Sequence, residues 1–329
     1  MPQKRQSAAT FQEEESRCTG SEQALMVMPW RRILHLRPAD TVTILFLVFL
    51  LMLTGIYFHT LPRGSFLLAL YSLLTVIQVL LARYRGYGNM LSIAHDLIFP
   101  VICVWLIFDS LEWVVHYVNP HDIDPLLIEI DFLIFGNHPT IVLERIVHPI
   151  LTDFFQIAYT TYYFIPIGLG ILLLTHRKKE AFDRSLFLIL FCFYLSYLGY
   201  ILFPAIGPRF TIDHLQTIGL QGFMIAEPIR EILNRLEGIK RDAFPSGHTA
   251  VAMMVLYCAY RFERRYFWIC LPMVTALIFS TVYCRYHYVV DVIAGVALFL
   301  VCVVIGEWYF NFWLRVTKRN RNARASAPD

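Results

Sequence analysis

Two histidines stand where polar residues interrupt the long apolar runs of this sequence. His248 belongs to the stretch 242–249 (DAFPSGHT), and His287 belongs to the stretch 284–291 (CRYHYVVD). An imidazole titrates near neutrality, so it can donate or accept a proton, and it can also act as a nucleophile. The two positions therefore predict chemistry in addition to packing.

The spacing of His287 and Asp291 suits an oriented imidazole. On a helix, residues four apart share one face and lie within reach of each other. A carboxylate bonded to one ring nitrogen fixes the tautomer and leaves the other nitrogen free as a nucleophile or base. The alternative is a satisfied polar pair in a membrane helix, although ionisable groups at such depth are usually functional.

The residues just before His248 are typical of a helix start. If Pro245 and Ser246 begin a helix, the backbone N–H groups around Ser246, Gly247 and His248 form a ready anion site. Gly247 lets the backbone approach a ligand closely, and His248 is placed to protonate a departing oxygen. A simple helix cap would use the same residues, and the stretch alone leaves both interpretations open.

Two arginines lie in polar segments of the same kind. Arg209 belongs to 203–210 (FPAIGPRF), and Arg285 lies two residues before His287. A guanidinium is permanently charged and planar, which suits phosphate oxygens, although either arginine alone could be an interfacial anchor. Taken together, a nucleophile, its orienting carboxylate, an acid and an anion cradle predict a phosphoryl-transfer site.

The composition places these residues in a membrane protein. Of 329 residues, 57% are hydrophobic and only 16% are charged, which excludes an ordinary soluble domain. The net charge of +3 comes from scattered short clusters, so we expect no nucleic-acid partner. The seven cysteines show no Cys-x-x-Cys spacing, so neither a disulfide frame nor a zinc site is expected.

Eight apolar runs are long enough to be candidates for crossing a ~30 Å hydrocarbon layer. In lipid, only helices close their own backbone hydrogen bonds between such short loops, so the predicted fold is an all-α integral membrane protein of about eight transmembrane helices. The sixth run is the shortest and the weakest candidate. The runs are 41–58, 66–82, 97–118, 154–174, 185–205, 248–262, 266–284 and 289–314.

The basic residues predict the orientation. With eight spans, one side of the membrane carries 20 of the 28 Lys and Arg residues, so both termini are expected in the cytoplasm. The polar segment 1–40 is then a cytoplasmic tail, since residues 1–29 lack the apolar centre and cleavage site of a signal peptide. The segments that contain Arg209, His248 and His287 meet on the opposite face.

These three segments resemble a known set of motifs. FPAIGPRF, FPSGHTA and RYHYVVDVIAG are similar to the three signature motifs of the type-two phosphatidic acid phosphatase superfamily, which also includes lipid phosphotransferases and vanadium haloperoxidases. The resemblance covers about 97–314 and implies a six-helix core. Two extra transmembrane helices within 41–96 would precede this core, and a basic cytoplasmic tail at 315–329 would follow it.

The resemblance implies a role for each matching residue. His287 would form a phosphohistidine, Asp291 would orient it, and His248 would protonate the leaving alkoxide. Phosphoryl oxygens would be bound by four further residues: Ser246, Gly247, Arg209 and Arg285. No metal and no cofactor is implied, and the partner would be a lipid phosphate within the membrane.

The sequence departs from the common motifs at two points. Leu202 stands where the first motif usually has a lysine, and Arg209 is followed by Phe210. The third motif usually has Ser-Arg six residues before its histidine, but here its arginine is Arg285. Lys240 and Arg241 are candidate substitutes for the missing lysine.

The form Arg-Tyr-His-Tyr-x-x-Asp resembles the branch that contains inositol phosphorylceramide synthases. An amphipathic stretch at 124–136 is also similar to a segment of that branch. It would lie in the membrane interface and shape lipid access, or it would be a plain linker helix.

A second polar cluster is expected near the outer end of the third span. Asp109, Glu112 and His116 fall on one helical face, where they would bind an acceptor head group or form a buried polar network between helices. The nearby tyrosines at 159, 162 and 163 are expected to be interfacial or packing aromatics.

Three functions compete. The first is a lipid phosphate phosphatase that acts on phosphatidate or an isoprenyl diphosphate at the non-cytoplasmic face. The second is a phosphotransferase of the inositol phosphorylceramide synthase type, which moves a phospho-head group to a lipid hydroxyl. An anion transporter is a distant third, because the polar groups lie at span ends and no inverted repeat with broken midplane helices is evident.

Overall fold

A computed structural model describes residues 36–84, 89–237 and 241–325 of the chain. Within these ranges almost all regular structure is helical, and no strand forms beyond an isolated bridge between Ala205 and Asp242. The predicted all-α membrane fold is confirmed. The structure does not describe residues 1–35. It also does not describe most side chains of the predicted C-terminal tail at 315–329.

The N-terminal half contains the first three candidate spans and two bent helix pairs. The predicted third span is not one regular α-helix, because a π-helical turn at Ala94–Ile98 and a 3-10 turn at Leu111–Trp113 interrupt it. The α-helices in this half are α1 (Pro38–Ile56), α2 (Gly64–Tyr84), α3 (Asn89–Ile93), α4 (Phe99–Ser110), α5 (Val115–Val118), α6 (Asp124–Phe135), α7 (Pro139–Val142), α8 (Pro149–Thr160) and α9 (Ile165–Thr175).

The C-terminal half contains the helices that carry the motifs. They are α10 (Lys179–Leu202), α11 (Pro208–Thr211), α12 (Ala226–Glu237), α13 (Gly247–Phe262), α14 (Arg264–Tyr283) and α15 (Val289–Ala325).

Among the described residues, six helical segments are long and apolar enough to cross a membrane by themselves. Two further segments are bent pairs, Asp124–Phe135 with Pro139–Ile146 at 60° and Pro149–Tyr163 with Ile165–Thr175 at 47°. The second bent pair coincides with the predicted fourth span. Its bend follows a 3-10 turn at Thr161–Tyr163 and precedes Pro166, which lacks the N–H that a continuing helix would use.

The predicted sixth span is α13, which has 16 residues. At about 1.5 Å per residue it is about 24 Å long, so it is shorter than the hydrocarbon layer. Ten of its residues are buried, because α10, α14 and α15 pack around it. The short helix therefore carries His248 inside the bundle rather than at its lipid-facing surface.

The first of the two extra N-terminal helices, α1, is fixed to the rest of the bundle by buried charges. Arg37, which precedes α1, lies 2.7 Å from Asp183 of α10 and 3.0 Å from Asp96. Asp40 and His95 complete this cluster, with 2.9 Å between the His95 Nε2 and an Asp40 oxygen. Because ions without partners are costly to bury, such mutual pairing holds α1 against the rest of the bundle.

Candidate active site

The three predicted motif segments meet at one point through backbone hydrogen bonds. The Ala243 N–H donates to the carbonyl oxygen of Ala205 at 3.0 Å, which joins the second segment to the first. The Nδ1 of His287 lies 2.7 Å from the carbonyl oxygen of Ala243, which joins the third segment to the second. The fold thus brings His287, His248 and Arg209 to one pocket, which Tyr286 also lines.

The environment of His287 fixes its tautomer. A carbonyl oxygen only accepts, so the Nδ1 of His287 must carry the hydrogen that Ala243 receives. The Nε2 of a neutral ring then holds a lone pair, and it faces the Nδ1 of His248 at 3.4 Å. The nitrogen left free is therefore directed at the second histidine.

Asp291 acts on His287 mainly through the negative charge of its carboxylate, because the two side chains are too far apart for a strong hydrogen bond. Its Oδ2 lies 3.5 Å from the Nδ1 of His287 and accepts a 2.8 Å bond from the Tyr288 N–H. The expected helical i, i+4 pair is wrong in one respect, because His287 lies in the turn before α15, which begins at Val289. The buried carboxylate is nevertheless close enough to stabilise a positive charge on the imidazole.

Ser246 is the N-cap of α13, as the sequence predicts. Its Oγ accepts a 3.3 Å bond from the Thr249 N–H, and its own N–H donates to the Asp291 carbonyl oxygen at 3.0 Å. These bonds tie α13 to α15, so the Ser246 backbone donor is occupied by protein. Gly295 allows this approach, since a Cβ there would lie only 2.6 Å from the Ser246 carbonyl oxygen.

Gly247 lies against the hydroxyl group of Tyr200. Any Cβ added at this glycine would collide with that hydroxyl, so the position requires glycine for packing. Both Ser246 and Gly247 are buried, and neither lines the histidine pocket. Their contacts support the helix-cap interpretation, and binding of phosphoryl oxygens by these two residues remains a prediction.

Two tyrosines enclose the ring of His248. The ring centroids of Tyr159 and Tyr162 lie 4.5 Å and 4.2 Å from that of His248. The side chain is 8% exposed, and its Nε2 has no hydrogen-bond partner among the described residues. From the sequence, these tyrosines were expected to be interfacial or packing aromatics. Their i, i+3 spacing places both on one helical face, beside His248.

Arg209 is the cation that shares the pocket with both histidines. Its guanidinium lies 5.7 Å from the ring centroid of Tyr286 and 5.3 Å from that of Phe210. Within the described part of the chain it makes no ion pair. Gly207 shapes this turn, because its φ of +98° and its contact with the Tyr286 carbonyl oxygen exclude a side chain.

Arg285 lies outside the pocket that contains the histidines. Its guanidinium pairs with Glu144 at 2.9 Å and donates to the carbonyl oxygen of Ile218 at 2.6 Å. Burial lowers the pKa of Arg285, and the Glu144 carboxylate opposes this shift, so the cation is retained. The predicted phosphate ligand is thus held by a carboxylate.

A separate polar cavity of about 150 Å³ lies beside the histidine pocket. Arg209 and Tyr286 line both spaces, while Arg230, Arg285 and Gln216 line only the polar cavity. Arg209 therefore stands at the boundary between the two.

The other predicted site residues lie elsewhere. Arg241 forms a 2.7 Å ion pair with Asp122 and does not line the histidine pocket, and Lys240 lies outside the described residues. The third span becomes a 3-10 turn at Leu111–Trp113, and both Glu112 in this turn and His116 just beyond it are exposed.

Asp109, the remaining member of that cluster, is partly buried in α4. The exposure of Glu112 and His116 does not support the buried network that the sequence offered as one alternative. The described residues contain no cluster of three or more His, Cys, Asp or Glu side chains that could hold a metal ion.

Two aspartates of α6 were missed by the sequence interpretation. Asp124 accepts 2.8 Å bonds from the N–H groups of Ile206 and Gly207. Asp131 accepts bonds of 2.9 Å and 2.8 Å from Val289 and Val290, the first residues of α15. Their seven-residue spacing on an amphipathic helix was the available signal, because it places both on one face.

The helix α6 therefore has a structural role in the site. It caps the helix that carries Asp291 and holds the turn that carries Arg209, and so it positions two of the three motif segments. Its opposite face is apolar and exposed, as Leu133 and Ile134 illustrate.

The sequence also matches a protein-family model. Residues 126–305, which are more than half of the chain, match the model of the PAP2 superfamily. The chain belongs to the PAP2 superfamily. The superfamily includes phosphatases and phosphotransferases, so this membership supports an enzyme that acts on phosphate esters.

Two relatives agree with the PAP2 assignment. A PA-phosphatase related-family protein of Dictyostelium discoideum is 23% identical over 197 residues, which cover 54% of this chain and 36% of the relative. A phosphoinositol dihydroceramide synthase of Bacteroides thetaiotaomicron is 25% identical over 199 residues, which cover 53% of this chain and 61% of the relative. The chain thus spans less than two thirds of either relative. No solved structure matches the chain.

Proposed function

We propose that this protein is a multi-pass membrane phosphatase that hydrolyses a lipid phosphate ester through a phosphohistidine at His287. One observation carries the proposal. The Nδ1 of His287 is committed to Ala243, and its Nε2 faces His248 in a pocket that also contains Arg209. A nucleophilic nitrogen, a second proton-transfer group and a cation then share one small site.

In the first step, the Nε2 of His287 attacks phosphorus and the ester oxygen leaves. The Ala243 carbonyl holds the ring, and the nearby Asp291 carboxylate stabilises the positive charge that develops on it. The anionic phosphate favours the doubly protonated form of His248 beside it, and the leaving oxygen takes a proton from this imidazolium. Arg209 neutralises charge on the phosphoryl oxygens in the transition state.

Substrate must separate the two histidines before it reacts. A separation of 3.4 Å between the ring nitrogens leaves no room for a phosphoryl group. The His248 ring must therefore move away from His287, within the space between Tyr159 and Tyr162, when substrate enters. Catalytic hydrogen bonds in free enzymes commonly rearrange when substrate binds.

In the second step, water attacks the phosphohistidine. His248, deprotonated by its first transfer, accepts a proton from this water, and the P–N bond breaks to release phosphate and restore His287. Both half-reactions use the same groups in opposite proton states.

The distribution of charge supports a site on the non-cytoplasmic face. The motif segments lie at the ends of spans opposite to the loops that carry most Lys and Arg residues, which favours cytoplasmic termini. The substrate phosphate would then be reached from the outer or luminal leaflet.

A lipid phosphotransferase is the second candidate, and two observations favour it. One relative is named as a phosphoinositol dihydroceramide synthase. The polar cavity beside the histidine pocket is lined by Arg230 and Gln216 and would accommodate a polar head group. The chemistry at His287 would be unchanged, and a lipid hydroxyl would replace water in the second step.

The test measures phosphate release in detergent micelles that contain EDTA, with phosphatidate and an isoprenyl diphosphate as substrates. The intact protein should release phosphate and the His287→Gln variant should not. Arg241→Gln is the matched control, because Arg241 pairs with Asp122 outside the pocket. If the folded protein releases none, hydrolysis is rejected, and head-group transfer to ceramide or diacylglycerol becomes the next assay. Undiminished release by His287→Gln would reject the phosphohistidine route.

A further inference from the structure

An apolar cavity of about 300 Å³ adjoins the candidate active site on its membrane side. It lies between α4 and α9, and α10 forms its inner wall. His248 and Asp242 line it at one end, while Asp96 and Phe182 line it at the other. Most of the remaining wall is aliphatic or aromatic, so the cavity suits a hydrocarbon chain.

The cavity is almost as deep as the hydrocarbon layer. Phe182 and Tyr200 of α10 both line it, and a rise of about 1.5 Å per residue separates them by about 27 Å. One leaflet supplies only about half of a ~30 Å hydrocarbon core. An occupant that fills the cavity from the histidine end is therefore longer than the tail of an ordinary lipid in that leaflet.

The cavity is open toward the membrane. Val101 and Trp105 of α4 line it on one side and Phe164 on the other, and these side chains are 45%, 48% and 70% exposed. Phe164 lies at the bend of 47° between α8 and α9. A chain can thus enter sideways from lipid while its polar end remains at His248.

The far end of the cavity carries the buried Asp96. Asp96 is held there by Arg37 at 3.0 Å and by the Nδ1 of His95 at 3.2 Å. Arg37 immediately precedes α1, so a residue outside the matched family region helps to position Asp96 at this end.

We propose that this cavity binds the single long apolar chain of the substrate and selects chains that extend past the membrane midplane. The substrate would be a long-chain lipid phosphate whose phosphate lies at His287 and whose chain end approaches Asp96. This inference rests on the proposed function, because it assigns the tail of that same substrate.

Gly170 of α9 is the position at which the depth of the cavity can be changed. A Cβ there would make ordinary contacts with Leu97 at 3.4 Å and Phe182 at 3.5 Å, at the Asp96 end. Alanine therefore fits, whereas leucine would project into the space between these side chains. Gly170→Leu shortens the cavity at its deep end, far from the histidines, and Gly170→Ala is its matched control.

The first test measures binding without catalysis. Single-chain alkyl phosphonates of roughly 24 carbon atoms, close to the cavity depth, would carry a diazirine either at the chain end or beside the phosphonate. In lipid nanodiscs, with labelled positions assigned to single residues by fragmentation, the chain-end probe should label Leu97, Gly170 or Phe182, and the other probe should label Tyr162 or Tyr200. Chain-end labelling confined to the lipid-facing residues Ile98 and Ile102, unchanged in Gly170→Leu, would overturn the inference.

The second test measures kcat/KM for lipid phosphates with chains of roughly 10 and roughly 24 carbon atoms. Gly170→Leu should lose about tenfold on the long chain and little on the short one, since it displaces at least two buried methylenes. Gly170→Ala should match the parent on both. Leu97→Phe blocks the same depth from another helical segment, and it replaces Gly170→Leu if that variant does not fold.

The two tests separate failure of the inference from failure of the proposed function. Deep labelling without hydrolysis would retain the cavity as a lipid-chain site and reject only the phosphatase. Hydrolysis with equal loss on short and long chains in Gly170→Leu would retain the phosphatase and reject chain selection.

Discussion

The Nε2 of His287 lies 3.4 Å from the Nδ1 of His248, although the two residues are 39 positions apart in the chain. The Ala243 carbonyl sets the orientation of the first ring. Tyr159 and Tyr162 enclose the second ring. The two imidazoles thus have different neighbours, which is consistent with the different roles proposed for them: His287 as the nucleophile and His248 as the proton donor.

Replacement of His248, the proposed proton donor, should lower kcat most for substrates whose leaving group must be protonated. His248→Gln should lower kcat for an alkyl phosphate by about 10²–10⁴-fold, because the alkoxide then leaves without a proton. p-Nitrophenyl phosphate, whose leaving group needs no proton, should lose much less. Equal losses on the two substrates would indicate that His248 serves some other purpose.

Arg209 and Arg241, which both precede the second motif, should differ in importance for catalysis. Arg209→Gln should lower kcat/KM by about 10²-fold, because Arg209 lies in the pocket with both histidines. Arg241→Gln should change it by less than about threefold, since that side chain pairs with Asp122. Steady-state kinetics on the same lipid phosphate compares them, and the reverse order would contradict the assigned phosphate ligand.

Arg285 should prove to be a structural residue more than a phosphate ligand. Arg285→Gln leaves the Glu144 carboxylate without its ion-pair partner, which should cost about 2 kcal/mol of unfolding free energy. Glu144→Gln in the same protein should recover part of that loss. Denaturant unfolding in detergent measures the double-mutant cycle, and strictly additive losses would show that the pair contributes no coupling.

Asp131 should stabilise the helix that carries Asp291. Asp131→Ala removes the acceptor for two N–H groups at the start of α15 and should cost about 1–2 kcal/mol. Glu129→Ala, an exposed carboxylate on the same helix, should cost little. Thermal unfolding of the two variants in one detergent checks this, and equal melting temperatures would refute the capping role.

The fold followed from hydropathy because a membrane span must be both apolar and long. All eight predicted runs overlap helical segments of the structure, and even the short run at 248–262 coincides with α13. What hydropathy did not show was the bend of 47° between Pro149–Tyr163 and Ile165–Thr175. That bend depends on a local turn and on Pro166, which leave the average hydropathy of the run unchanged.

The sequence indicates candidate site residues only where a short motif contains them. His248 and His287 were recognised from adjacent residues, but their supports come from distant parts of the chain. Glu144 is 141 residues from Arg285, and Asp131 is 158 residues from Val289. Only packing brings such pairs together, so the pairing of Arg285 with a carboxylate could not be read from its neighbours.

The most direct measurement traps the proposed intermediate on His287. The His248→Gln variant, which should hydrolyse the phosphohistidine slowly, would be mixed with p-nitrophenyl phosphate, quenched in base and analysed by peptide mass spectrometry. We predict one phosphoryl group on His287, and none in a variant that also carries His287→Gln. A phosphoryl group on another residue, or product release without any phosphorylated peptide, would contradict the central claim.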